Sequence, residues 1–160
     1  MFALVRLLAV LALSAGVLLP GAPITQAQEL RTYTKRASYD DVRFDLTNAI
    51  ISRGLNIEYT GNIGAMLDRT GADVGSDKHL YKSAEFFTFC SAKLSRQMME
   101  ADARNIAFCP YVMSIYESVG EPGVVVVGYR RPPESGTSET KAAMAEIDAL
   151  LDGIAREATQ

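Results

Sequence analysis

The sequence predicts an α+β fold, a two-layer sandwich with a mixed or antiparallel sheet and helices packed on one face. Three observations lead there. Apolar residues change between helical and alternating spacing several times along the chain, most clearly at Gly54. Two alternating segments, Tyr111 to Glu117 and Val124 to Tyr129, flank the turn cluster Gly120-Glu121-Pro122-Gly123 and read as an antiparallel hairpin with a longer loop. A final segment repeats apolar residues at intervals of three and four, as a helix laid on a sheet requires.

The chain opens with Met1 to Arg6, which carries one positive charge, and the apolar run Leu7 to Leu19, too short to span a bilayer comfortably. Thr25-Gln26-Ala27 offers small side chains at the third and first positions before a cut. Residues 1–27 are therefore read as a secretory signal peptide cleaved after Ala27, with Gln28 as the mature N-terminus and a periplasmic or secreted location. Residues 28–160 form a single domain, long enough to bury a core without staples. Loss of Arg6 with the leader takes the formal charge from −3 to −4, which argues against nucleic acid as a partner. No further long apolar run follows, so no membrane association is expected after cleavage.

Arg31 to Ala37 contains Thr32, Tyr33 and Thr34 without Gly or Pro and suits a first strand. Ser38 caps the following helix, Asp40 and Asp41 sit at its positive end, and Val42, Leu46, Ala49 and Ile50 form its apolar stripe. Leu55, Ile57 and Tyr59 then alternate with polar residues as the buried face of a second strand, and Gly61-Asn62 is read as a turn into a short helix on Ile63, Met66 and Leu67. Gly71 to Asp77 is a polar connection. Leu80 to Cys90 carries apolar residues on both faces, as a central strand does, and Glu85 within it is best accommodated at a sheet edge. Ser91 caps a third helix with Leu94, Met98 and Ala101 inward. The hairpin follows and ends at Arg131-Pro132-Pro133, because proline cannot donate to a ladder. Ser135 to Ser138 links it to the last helix, whose stripe is Ala143, Ile147, Leu150 and Ile154.

With this order of elements, Phe89-Cys90, Ala101-Asp102, Cys109-Pro110, Ile115-Tyr116 and Val124 to Val127 resemble the bacterial family called domain of unknown function 302, with its TT-1751-like fold. The resemblance covers about Thr32 to Ala158. Asp102-Ala103 stands where the family pattern has aspartate-proline, and Cys109-Pro110-Tyr111 places its cysteine in front of the proline. The resemblance implies a compact α+β domain, often a homodimer, with no settled activity or cofactor.

Two cysteines in an exported chain are first read as a disulfide. A helix from Ser91 to Ala103 climbs about 20 Å, and an extended return from Arg104 to Cys109 covers about the same length, so Cys109 comes back level with Cys90. The same placement puts Cys90 at a helix N-terminus, where a thiol pKa falls and redox or sulfur-transfer chemistry becomes available; separate free thiols are the third reading. Cys90, Cys109, Met98, Met99, Met113 and His79 are soft ligands that would suit copper(I), but methionines at helical spacing are ordinary core filler, and no metal or other cofactor is expected. There is no haem attachment motif, zinc-protease helix, phosphate loop or serine elbow in the sequence. Arg130 and Arg131 could hold an anion at the end of the last strand, and Tyr116 and Tyr129 could line a ligand face beside them. The reading is a small exported binding or accessory domain, non-catalytic and dimeric, that uses the sheet face near Tyr116, Tyr129 and Arg130. The alternative is a periplasmic thiol protein working through Cys90 and Cys109.

Overall fold

The computed structural model describes residues 29–160, and the signal-peptide reading lies outside the described residues. Five strands, β1 (Leu30–Arg36), β2 (Ile57–Asn62), β3 (Tyr81–Phe89), β4 (Tyr111–Ser118) and β5 (Val124–Arg130), form one sheet in the order β1-β5-β4-β3-β2. Every neighbouring pair is antiparallel. Helices α1 (Tyr39–Ile51), α3 (Ala92–Ala101) and α4 (Ser138–Ala158) bury their stripes on one face, while the short α2 (Ile63–Thr70) packs on β3. The expected α+β sandwich is therefore the observed one, with the sheet wholly antiparallel.

Period-two alternation decides what each strand buries. Met113 and Ile115 of β4, Val125, Val127 and Tyr129 of β5, and Phe87 and Phe89 of β3 meet the helices and are almost fully buried. The stripe Val42, Leu46, Ala49 and Ile50 of α1 is fully buried opposite them. Each large apolar side chain removed from water in this way contributes about 1.5–3 kcal/mol, so the helix-side core dominates the stability. On α4 the stripe broadens to Met144, Leu151, Ala155 and Ala158, with Leu150 at its margin. Ser38 accepts from the Asp41 amide at 3.1 Å and Ser91 from the Leu94 amide at 3.4 Å, so both serines cap the helices expected of them.

Four local expectations differ from the structure. Gly61 and Asn62 are not a turn but the end of β2. Gly61 lets the Phe86 ring lie across the strand where a Cβ would collide with it, and Asn62 caps α2 by accepting from the Ala65 amide at 2.8 Å. Tyr59 is not on the buried face: a register shift between Ile57 and Tyr59 turns it outward, 61% exposed, against Phe86 on the other side of the sheet. Glu85 is not at an edge. β2 lies outside β3, so the carboxylate is largely enclosed, and α1 supplies its partners Arg43 and Tyr39. The return from α3 is not extended but a 3-10 helix, Ala103–Phe108, held by the buried Asn105, which donates to the Met98 carbonyl at 2.8 Å. Among the described residues, no helix is long and apolar enough to cross a membrane.

The edge strand β1 is fastened by charge as well as by its ladder. Asp148 and Asp152, one turn apart on α4, reach across to it. Asp152 accepts from Arg31 at 3.0 Å, from Arg156 at 2.6 Å and from the Tyr33 hydroxyl. Asp148 accepts from Tyr129 at 3.0 Å and from Arg131 at 3.2 Å. Burial opposes the charge on Asp152, but the hydrogen bonds from Tyr33, Arg156 and Arg31 outweigh it and hold its carboxyl at about 2. A carboxyl whose folded pKa is depressed stabilises the fold above its unfolded pKa of about 3.9 and loses that contribution as pH falls through the folded value. Denaturant midpoints should therefore fall between pH about 4 and about 2, and Asp152→Asn should lower the midpoint at pH 7 while converging with the unsubstituted protein near pH 2. A midpoint difference that is the same at both pH values would remove this role from Asp152.

Candidate functional site

A cleft forms where β4 and β5 part. β4 begins at Tyr111, but its ladder with β5 begins only at Met113, opposite Tyr129; Tyr111 and Val112 pair with β3 alone. Past Tyr129 the other strand runs towards Pro132 and Pro133, which cannot donate to a ladder. The gap holds about 520 Å³, within the range of small-molecule sites. Its inner lining comes from buried residues, Met144, Ile147 and Leu151 of α4 with the rings of Tyr111 and Tyr129. At the mouth are Leu30, 65% exposed, Val112, 47% exposed, and Arg130.

The polar groups of the inner lining are already engaged. The Tyr129 hydroxyl donates to Asp148, and the Tyr111 hydroxyl lies 3.3 Å from the Ser95 hydroxyl. Ser114 donates to the Gly128 carbonyl at 3.1 Å. Burial pushes both phenols up, and the Asp148 carboxylate raises Tyr129 further, so both rings stay neutral through the ordinary pH range. The arrangement suits binding an apolar body rather than acid or base work.

One wall of the cleft ends at the cysteine pair. Cys90 follows β3 and Cys109 precedes β4, and the pairing of Phe89 with Tyr111 brings the two together. Their Cα atoms are 6.5 Å apart and their sulfurs lie at disulfide distance. Both residues are half-buried, and the Ser95 hydroxyl lies 3.5 Å from the Cys109 sulfur. The link spans α3 and the 3-10 helix, whose Ala107 and Phe108 line the cleft beside Pro110.

The residues proposed for a ligand face separate. Tyr129 points to the helix layer, whereas Tyr116 faces the opposite side of the sheet, half-buried against Tyr81 with ring centroids 5.5 Å apart. They sit on strands that pair with Tyr116 opposite Val126, so the odd offset to Tyr129 places the two rings on different faces. Arg130 shares the face of Tyr116 but stands at the cleft mouth. Arg131 is committed to Asp148, Glu29 and Glu134. Of the soft ligands, Met98 and Met113 are fully buried in the core and His79 pairs with Asp68 at 2.9 Å on an exposed loop. Among the described residues no group of three or more His, Cys, Asp or Glu converges. Sequence reasoning missed Met144, Leu151, Leu30 and Phe108, because an apolar residue lining a cleft carries the same periodic signal as one packed in a core.

The family described as "Domain of unknown function DUF302" matches residues 31–158, nearly all of the described chain. The chain belongs to this family. A crystal structure of an uncharacterized conserved DUF302 protein from Bacillus stearothermophilus superposes with a TM-score of 0.67 at 13% identity, covering 82% of this chain and 98% of that one. At that identity the likeness shows a shared DUF302 fold. No curated protein matches the chain.

A bond between cysteines 19 apart in sequence removes chain entropy from the unfolded state, by about 3 kcal/mol for a loop of this size. Reduction of the protein, or Cys90→Ser, should lower unfolding stability by about that amount in denaturant melts. An unchanged midpoint, with a thiol that alkylates rapidly below its free pKa of about 8.5, would instead favour the thiol-chemistry reading.

Proposed function

We propose that this DUF302 chain is a non-catalytic binding or accessory domain, exported to the periplasm or beyond, and that it takes a small molecule in the cleft between the parted ends of β4 and β5. The observation that carries this reading is the union in one opening of a buried apolar lining with exposed apolar residues at its mouth. The leader pattern of residues 1–27 supports export. The opposite sheet face supports self-association as a homodimer, since α2 lies over β3, with Gly64 against Ala84, while Tyr116 and Val126 stay partly open.

The neutral fluorophore N-phenylnaphthylamine serves as a probe of the cleft. It should bind one molecule per chain with enhanced fluorescence. Ala107→Trp, which adds a ring from the exposed 3-10 helix at the mouth, should abolish binding and leave the melting temperature unchanged. Undiminished binding to that variant would move the site elsewhere, and no binding to the unsubstituted protein would end the cleft reading. Intact mass of the exported protein should match a chain beginning at Gln28; recovery with residues 1–27 attached in the membrane fraction would overturn export.

A further inference from the structure

Seven basic side chains near the helix layer and its margins are held by carboxylates, among them Arg31, Lys35, Arg43, Arg131 and Arg156. Arg130 differs. Among the described residues no carboxylate lies within ion-pair distance of it, and it is the one charged side chain lining the cleft. It pairs in register with Leu30 on β1, so its guanidinium stands beside exposed apolar surface at the mouth, on the side facing solvent. Deeper in, the hydroxyls of Tyr111, Tyr129 and Ser114 already have partners, so the interior offers a ligand apolar contact and little else. Arg131 cannot substitute for its neighbour, because an anion there would have to displace Asp148 as well as Glu29 and Glu134.

We propose that the ligand is a free amphiphilic carboxylate, a single aliphatic chain of middle length, whose tail enters between Tyr111 and Tyr129 towards Met144, Ile147 and Leu151 and whose carboxylate is held by Arg130 at the mouth. This inference rests on the cleft being the binding site and adds the chemical class of its occupant. A guanidinium fork matches a carboxylate in geometry as well as charge, and apolar side chains beside it lower the local dielectric and strengthen the pair. A ligand of this class keeps its charged end in contact with water while burying its chain. That division matches the polarity of the cleft from mouth to floor.

The test is displacement of N-phenylnaphthylamine from the whole protein by decanoate and by decanol, both below their aggregation limits. Decanoate should displace the probe at about tenfold lower concentration than decanol. Arg130→Gln should erase that difference by weakening decanoate and not decanol, each measured relative to that variant's own probe affinity, with melting temperature unchanged. Arg130→Lys should recover part of the preference. Equal potency of acid and alcohol on the unsubstituted protein, or a preference that survives Arg130→Gln, would overturn the carboxylate assignment while leaving the cleft intact as a binding site. Binding to phosphatidylglycerol vesicles without displacement by monomeric decanoate would overturn it as well. Failure of the probe itself to bind would instead remove the cleft reading on which the inference rests.

Discussion

The packing of helix α4 across β5 and β1 is the interaction on which the other parts depend. Its buried stripe, from Ala143 through Ile147 and Leu151 to Ala158, also meets α1 and α3, so one helix closes the core on three sides. Hydrophobic burial supplies the energy, but it does not by itself fix how far the helix slides along the sheet. The two carboxylates do. Asp148 takes Tyr129 and Arg131 from the end of β5, Asp152 takes Arg31 and Tyr33 from the start of β1, and both strands are thereby set against one turn of α4. Isolated surface pairs contribute little; these are partly shielded and share donors, which makes them a registration device more than a source of net stability.

With α4 held in that position, the parting of β4 and β5 exposes the apolar side of the helix rather than open solvent. A ladder that continued beyond Met113 and Tyr129 would cover Met144, Ile147 and Leu151; the ladder stops at that pair, before Val112 could meet Arg130. The remaining wall is the 3-10 helix, tied to α3 by Asn105 and to the end of β3 through the cysteine pair. The cleft is thus bounded by one long helix and one short segment that ends at the cysteine pair. This is why the same two cysteines that bear on stability also bear on the shape of the site.

Much of the fold was legible from residues whose environment depends on near neighbours. Val42, Leu46, Ala49 and Ile50 announce a helix face, Ser38 and Ser91 announce its starts, and the valines from Val124 to Val127 announce a strand. What misled was local chemistry whose meaning comes from a partner far away in sequence. Gly61 has the look of a turn until the Phe86 ring is placed across it, and Glu85 reads as an edge residue until Arg43 arrives from α1. Tyr59 alternates correctly with its neighbours but is turned outward by one irregularity in pairing with β3. Period-two reasoning within a strand is sound, while a single register shift between strands reverses its result.

The sequence by itself determined the succession of elements, the caps at Ser38 and Ser91 and the antiparallel hairpin, since each follows from spacing or capping chemistry. Family membership was also written in short local motifs. The tertiary structure alone decided which faces Tyr116 and Tyr129 present, which of the adjacent arginines is held by carboxylates, and that a cleft exists at all. The reason is physical: a side chain's face depends on strand register, the availability of a charge depends on whether a distant carboxylate reaches it, and a cavity is a property of several elements failing to meet, which none of their sequences records.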